Sequence, residues 1–348
     1  MKDDVHEAIM AGAVCAAVLV ATGLAVDLPA ADAAGAAGPR PLALGIYPGG
    51  YAGGGSTDPV PDDGAKVIRA LDQLHGGPGF LVREYVGYDG TSTDGTDARK
   101  YFGYLGHGRK LDLVLGYPGH GTPLAGWETY VRNEVRNAGP HAASISLGVD
   151  VNLAAAADPS VVPAVVAGVE AAKDEARRLG LKKLQIGFDE GAFGQAGTAF
   201  WQSLATTGGN RFRDSIDYVG LELYPDVFHP SPGDLGAQAV SAIDVVRRQE
   251  MPIAGLSDRV AIHVAENGWD TLAPRTEAQQ SAALTSELTA INADRGRLNI
   301  TAYEYFDLRD DKSASANLFD HFGLLNDDYT PKAAFSTYRD LVHRLRRG

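Results

Sequence analysis

The sequence has a single cysteine, Cys15, among 348 residues, and this narrows the chemistry open to the protein. Cys15 lies in an apolar stretch at residues 8–26, which is followed by an A-x-A-like segment at residues 31–33. This order is typical of a secretory signal, so we expect a signal peptide or signal anchor at residues 1–33 and a linker at 34–40. A chain cleaved there has no cysteine for a disulfide, a metal-thiolate site or a thiol nucleophile.

Basic residues are also scarce, since 31 Lys and Arg stand against 44 Asp and Glu for a formal net charge of −13. This balance argues against a nucleic-acid partner and against binding to an anionic membrane. We therefore expect a secreted protein that meets a membrane only if its N-terminal segment is retained as an anchor. Its oligomeric state is not determined by composition.

Several motifs of familiar enzymes are missing as well. The nine histidines are scattered rather than clustered with aspartates at strand ends, so we expect no metal site and no cofactor. His263 lies within an apolar run and is expected to pack against a neighbour. A nucleophile elbow of the form G-x-S-x-G does not occur, which argues against a Ser-His-Asp hydrolase.

Eight short apolar runs alternate with helical segments, which is the pattern of a (β/α)8 barrel. We predict an α/β TIM barrel as a single domain at residues 41–348. The alternative is a doubly wound open sheet, but the Gly-rich segment 48–56 matches neither of its phosphate-binding patterns. The predicted strands are residues 41–47, 80–85, 111–116, 144–152, 184–188, 216–224, 260–264 and 300–306.

The residues that follow these strands carry the functional prediction, because barrel enzymes place their chemistry at the C-terminal strand ends. Carboxylates and tyrosines dominate this rim and histidine is rare, which suits a neutral polyol such as a sugar. Members of the predicted rim are Tyr47, Arg83, Glu84, Tyr85, Tyr117, Asp150, Asn152, Asp189, Glu190, Glu222, Tyr224, Asp226, Glu266, Asn267, Trp269, Glu304, Tyr305 and Asp307.

Cleavage of a glycosidic bond needs two carboxyl groups, which stand about 5–5.5 Å apart in retaining enzymes. Strands four and seven face each other across a barrel mouth, so Asp150 and Glu266 are the first candidate pair. Glu190 with Glu266 is the second. The alternative is that these acids only form ion pairs with basic residues, for which Arg83, Arg309 and Lys312 are the candidates.

Four segments resemble one enzyme family. The segment V-A-E-N-G-W at residues 264–269 resembles the nucleophile-bearing strand of clan A glycoside hydrolases, in which T-E-N-G is typical of the β-glucosidase branch. D-Y-V-G-L-E-L-Y-P-D at residues 217–226 and the C-terminal Y-F-D-L-R-D and F-G-L-L-N-D-D-Y-T-P-K-A-A-F resemble the same clan, in particular its secreted actinobacterial members. The resemblance covers most of the chain from residue 41 onward.

The resemblance implies roles for individual residues. Glu266 matches the nucleophile of the clan, Tyr224 matches a tyrosine that hydrogen-bonds it, and Arg83 matches an arginine that keeps it ionised. Asp150 stands where the clan has the acid/base glutamate of an Asn-Glu pair, and Tyr305 stands for a tryptophan on the eighth strand. Trp269 is expected to stack on the sugar, and Asn152 or Asn267 to replace the missing asparagine at the sugar 2-OH.

The departure at Asp150 leaves two functions open. A carboxyl group one methylene shorter is withdrawn by more than about 1 Å, and a misplacement of that size can cost about 100-fold in rate. The first function is a retaining glycoside hydrolase acting on an oligo- or polysaccharide. The second is a catalytically impaired barrel that binds glycans or other cell-wall material.

Overall fold

The structure is a computed structural model that describes residues 40–52, 58–74, 78–192 and 197–346. The predicted signal segment and all but the last residue of the predicted linker lie outside this part of the chain. Among the described residues, the helices are all too short or too polar to cross a membrane.

Eight parallel strands close into a barrel in the order of the sequence, which confirms the predicted α/β fold and excludes an open sheet. Each strand pairs with the next one, and the barrel closes where the last strand pairs with the first. The strands are β1 (Ala43–Ile46), β2 (Leu81–Gly87), β3 (Lys110–Gly116), β4 (Ala142–Ser146), β5 (Gln185–Gly191), β6 (Tyr218–Leu223), β7 (Ala261–Asn267) and β8 (Ile300–Tyr305).

Helices cover the outside of the barrel and bury the outward side chains of the strands, such as Val82, Ile145 and Leu221. These side chains and the apolar faces of the helices form the main hydrophobic core. The α-helices are α1 (Gly64–Leu74), α2 (Leu124–Ala138), α3 (Val151–Ala157), α4 (Val161–Arg178), α5 (Gly197–Arg213), α6 (Leu235–Val245), α7 (Glu277–Leu298) and α8 (Ala333–Leu345).

The prediction of a strand over residues 144–152 is wrong at its C-terminal half. Strand β4 ends at Ser146, and the chain turns at Gly148, which has a φ of 108° that favours glycine. Asp150 follows in the left-handed region with φ 47° and ψ 34°, and α3 starts at the next residue. The turn brings Asp150 over the barrel mouth instead of continuing along the strand.

The inside of the barrel is polar, although barrel interiors are usually filled by branched apolar residues. Alternate residues of each strand point inward, and most of these side chains near the middle carry charges or hydroxyl groups. Gly220 leaves room for one of them, because a Cβ there would lie 1.8 Å from Oδ1 of Asp189. The polar interior consists of Arg83, Asp112, Ser144, Ser146, Asp189, Tyr218, His263 and Glu304.

Candidate active site

Glu266 owes its orientation to an irregularity in strand β7. Leu221 pairs with Val264, but the next residue, Glu222, pairs with Glu266, so Ala265 is an extra residue. Such a bulge reverses the alternation of side chains beyond it. His263 points into the barrel, and without the extra residue Glu266 would point toward the helices. With it, the Glu266 carboxylate points into the barrel mouth, where it is buried with 2% exposure.

Three donors hold the Glu266 carboxylate. Tyr224 donates its hydroxyl to Oε2 at 2.7 Å, Tyr85 donates to Oε1, and the Arg83 guanidinium lies 3.4 Å from Oε1. Burial, followed by the charge of Glu266, raises the pKa of the Tyr224 hydroxyl well above its usual value, so this group stays a donor. Donors of this kind stabilise the ionised carboxylate. The contacts of Tyr224 and Arg83 are those that the resemblance implies.

Arg83 is the central cation of the barrel interior. It forms ion pairs with Asp112 and Asp189 at 2.7 Å each and lies 4.0 Å from Glu304. Burial and the charge of Asp112 raise the pKa of Glu304 well above its usual value. Burial would raise the pKa of Asp112, but Arg83 and hydrogen bonds from Glu304 and Ser144 bring it below its usual value. Arg83 thus orders the residues beneath the Glu266 carboxylate.

The second carboxyl group of the mouth, Asp150, lies against a third acid, Glu222. The backbone N–H of Asp150 donates to Oε1 of Glu222 at 3.0 Å, and the two side chains are hydrogen-bonded to each other. Burial and the charge of Glu266 raise the pKa of Asp150 to about 6, against the effect of its hydrogen bond to Glu222. Burial and the charge of Asp150 raise the pKa of Glu222 well above its usual value. The structure therefore brings Asp150, Glu222 and Glu266 together.

Glu222 belonged to the predicted rim, but neither the motif nor the resemblance gave it a role in the site. The alternation of side chains along a strand could have indicated the direction of Glu222. Residues two apart on a strand share a face, so a residue two positions before Tyr224 must point to the same side. Once Tyr224 is placed beside Glu266, the segment G-L-E-L-Y already indicates that Glu222 points into the barrel as well.

Aromatic side chains surround these acids. Tyr47 stacks on Phe306 with ring centroids 5.1 Å apart and meets Tyr85 edge to face at 5.3 Å. Trp269 belongs to the same cluster, and the Arg275 guanidinium lies 4.5 Å from the centroid of its indole. Arg275 therefore covers one face of Trp269, and the residue as a whole is only 5% exposed.

Both asparagines that were expected at the sugar 2-OH hold the protein backbone instead. Asn152 exchanges two hydrogen bonds with the backbone of Gly191, at 2.7 and 3.0 Å, and so ties α3 to β5. Asn267 points toward α7, where its amide donates to the Leu223 carbonyl at 2.8 Å and to Glu287. The structure thus removes Asn152 and Asn267 from the candidate site, because their amide groups are already used.

The contact of Asn267 with Glu287 leads to a stability prediction. Burial raises the pKa of Glu287 to about 8, from an unfolded value near 4.3. Because its pKa is higher in the folded protein, the Glu287 carboxyl group ionises less readily there than in the unfolded chain. Its contribution to the free energy of unfolding therefore falls as the pH rises from about 4 to 8. Glu287→Gln removes this titration, and we expect it to gain about 4 kcal/mol of unfolding free energy between pH 5 and pH 8.5, relative to the wild type. Urea denaturation at both pH values measures the difference, and an equal effect at both would contradict the prediction.

Tyr305 does not lie where the resemblance places it. Tyr305 points away from the barrel mouth and packs on Tyr338 of α8, with ring centroids 5.7 Å apart. Phe306 points into the mouth, where it meets Tyr47 and, edge to face at 6.4 Å, Tyr224. The aromatic residue of the eighth strand that belongs to the candidate site is therefore Phe306, and Tyr305 lies outside it.

Glu190 does not reach the mouth either. Its neighbour Asp189 points inward to Arg83, so Glu190 points to the helix layer, near Trp201 and Glu250. Burial and the charge of Glu250 raise its pKa well above its usual value. The pair of Glu190 with Glu266 is thus excluded by geometry.

The remaining basic candidates are engaged away from Glu266. Arg309 pairs with Asp62 at 2.8 Å and Lys312 with Asp58 at 3.5 Å. His263 stacks on Tyr218 with ring centroids 3.8 Å apart, as its place in the strand predicted. In the described part of the chain, no group of three or more His, Cys, Asp or Glu side chains is arranged to hold a metal ion.

Comparisons with known proteins place this geometry in context. No family model and no curated protein matches the sequence. A family 39 glycoside hydrolase from the gut symbiont Bacteroides cellulosilyticus WH2 superposes with a TM-score of 0.59 at 17% identity, over 88% of this chain and 64% of its own. The β-glucosidase 1317 gives 0.57 at 15% identity, over 81% and 87% of the two chains.

A β-glucosidase from Thermotoga maritima, solved with deoxynojirimycin, gives a TM-score of 0.56 at 13% identity, over 79% of this chain and 84% of that one. The chain therefore spans less than two thirds of the length of the family 39 enzyme, whereas it spans most of the length of each β-glucosidase. Likeness at these identities establishes the fold alone. The structural neighbours of this chain are clan A glycoside hydrolases, and the chain has their closed eight-stranded barrel.

Proposed function

We propose that the protein is a retaining glycoside hydrolase that cleaves an O-glycosidic bond of an oligo- or polysaccharide. The observation that carries the proposal is the Glu266 carboxylate, held by Tyr85, Tyr224 and Arg83 at the mouth of the barrel. A buried carboxylate fixed by three donors is oriented for attack on one carbon atom, and its charge is stabilised without water.

Asp150 supplies the second group that the reaction needs. An acid/base must hold a proton near neutral pH, and the pKa of Asp150 is raised to about 6 by burial and by the charge of Glu266. It would protonate the leaving oxygen while Glu266 attacks the anomeric carbon. After the leaving group departs, it would accept a proton from the water that releases the sugar from Glu266.

The environment of these groups fits a carbohydrate. Aromatic rings line the mouth, and rings of this kind pack against the apolar faces of sugars. Residues 48–52 and 226–236 follow β1 and β6 at the mouth, and we propose that the segments to which they belong, 48–63 and 226–236, select the sugar and the linkage. The expected secretion would bring such an enzyme to extracellular polysaccharide.

A panel of glycans and aryl glycosides, assayed for both binding and sugar release, tests the proposal. We expect release of a product whose anomeric configuration, followed by NMR, is that of the substrate. A 2-deoxy-2-fluoro glycosyl fluoride should label the peptide that contains Glu266, as seen by mass spectrometry. Binding without release would instead support a glycan-binding barrel, and a product of inverted configuration would contradict Glu266 as nucleophile.

A further inference from the structure

Three observations set Glu222 apart from the other buried acids. It lies at the end of β6 with 4% exposure, directly paired in register with Glu266 of β7. Its Oε1 accepts the backbone N–H of Asp150 at 3.0 Å, and its side chain is hydrogen-bonded to the Asp150 carboxyl group. Asp150 reaches it by a left-handed backbone conformation, which is uncommon for a residue other than glycine.

We propose that Asp150 and Glu222 hold one proton between them and that Glu222 is a positioning residue that keeps Asp150 supplied with it. This inference rests on the proposed function, because it concerns the proton of that reaction. Glu222 touches the acid/base rather than the glycosidic bond, so it acts through Asp150.

The charges around the pair require a shared proton. Two carboxyl groups in hydrogen-bond contact cannot both be ionised at low cost, and together they titrate in two separated steps. The groups that act on the pair are Glu266 of β7 and Asp189 of β5, both acidic, and Tyr224 of the same strand end. Burial raises the pKa of both partners, that of Asp150 to about 6. At pH values between the two titration steps, the pair carries one proton and one negative charge.

The proton balance of the reaction follows. In the first step the Glu266 carboxylate bonds to the anomeric carbon, the glycosidic C–O bond breaks, and the pair gives its proton to the leaving oxygen. The pair is then doubly ionised, while Glu266 has become a neutral ester. In the second step water attacks the anomeric carbon, its proton goes to the pair, and Glu266 leaves as a carboxylate.

Glu222→Gln tests the inference, with Glu190→Gln as the matched control of another buried strand-end acid. The amide keeps the size of the side chain but cannot carry the proton. We expect kcat/KM for alkyl glycosides, whose leaving groups need protonation, to fall about 100-fold. Activity on dinitrophenyl glycosides should change little, and the alkaline limb of the pH profile should move to lower pH. Glu190→Gln should match the wild type in all three measurements.

A measurement without turnover addresses the pair directly. The carboxyl 13C NMR signal of Glu222 is the one missing from Glu222→Gln, and in Asp150→Asn we expect it to titrate at lower pH, because a charged partner is gone. An unaltered titration would overturn the inference. So would a Glu222→Gln enzyme that loses activity equally on all substrates with an unmoved pH profile, since that indicates a structural role alone. A wild-type protein that releases no sugar overturns the proposed function itself.

Discussion

Replacing Glu266 by alanine is expected to abolish hydrolysis of aryl glycosides, with a loss in kcat/KM of at least about 10⁴-fold. The substitution removes the attacking oxygen and leaves Tyr85, Tyr224 and Arg83 without their common acceptor. Initial rates with a nitrophenyl glycoside measure the loss. Glu190→Ala is the matched control, since Glu190 is equally buried but points to the helix layer.

A second readout separates loss of the nucleophile from loss of the fold. A small anion such as azide fits the space that alanine leaves and attacks from the same side, so it should restore turnover and give a glycosyl azide of inverted configuration. Circular dichroism and thermal unfolding show whether the variant is folded. A folded Glu266→Ala protein with wild-type turnover would rule out Glu266 as the nucleophile.

Arg83→Met is expected to have the largest effect on stability, a loss of about 3–5 kcal/mol of unfolding free energy. Arg83 is 1% exposed and neutralises Asp112 and Asp189 in the barrel interior, so its removal leaves buried carboxylates without a cation. The pKa of Asp189, already raised to about 6 by burial, should rise further. A buried carboxyl group with a raised pKa lowers the free energy of unfolding as the pH rises. The loss caused by Arg83→Met should therefore be larger at pH 8 than at pH 5.

A double-mutant cycle makes this prediction specific. Adding Asp189→Asn to Arg83→Met removes one uncompensated charge and should recover part of the loss, whereas Asp189→Asn alone should destabilise the wild type. Arg248→Met is the surface control, because its ion pair with Asp244 is exposed to solvent, and it should cost far less. Chemical denaturation of all variants provides the comparison. Equal losses for Arg83→Met and Arg248→Met would refute a central role for Arg83.

The sequence predicted the barrel because its signals are local. Each buried parallel strand is a short apolar run, and each is separated from the next by a helix-length segment, so eight repetitions indicate the closed fold. The ends of those runs indicate the rim, which is why Glu266, Tyr224, Arg83 and Asp150 were found. Their catalytic roles remain predictions.

The direction of a side chain at a strand end was less predictable. Alternation along a regular strand indicates that Glu222 points inward and Glu190 outward, and it places Phe306 rather than Tyr305 in the mouth. It cannot indicate which amide groups are consumed by the backbone, as those of Asn152 and Asn267 are. Those contacts join residues far apart in the sequence.

By itself the sequence determined the fold, the rim and the presence of a carboxylate after the seventh strand. Only the tertiary structure decided that this carboxylate points into the barrel. The extra residue Ala265 becomes visible only when β7 is aligned with β6, because a shift in register is a property of two strands together. The contact of Asp150 with Glu222 likewise depends on a turn after β4 that closes against β6.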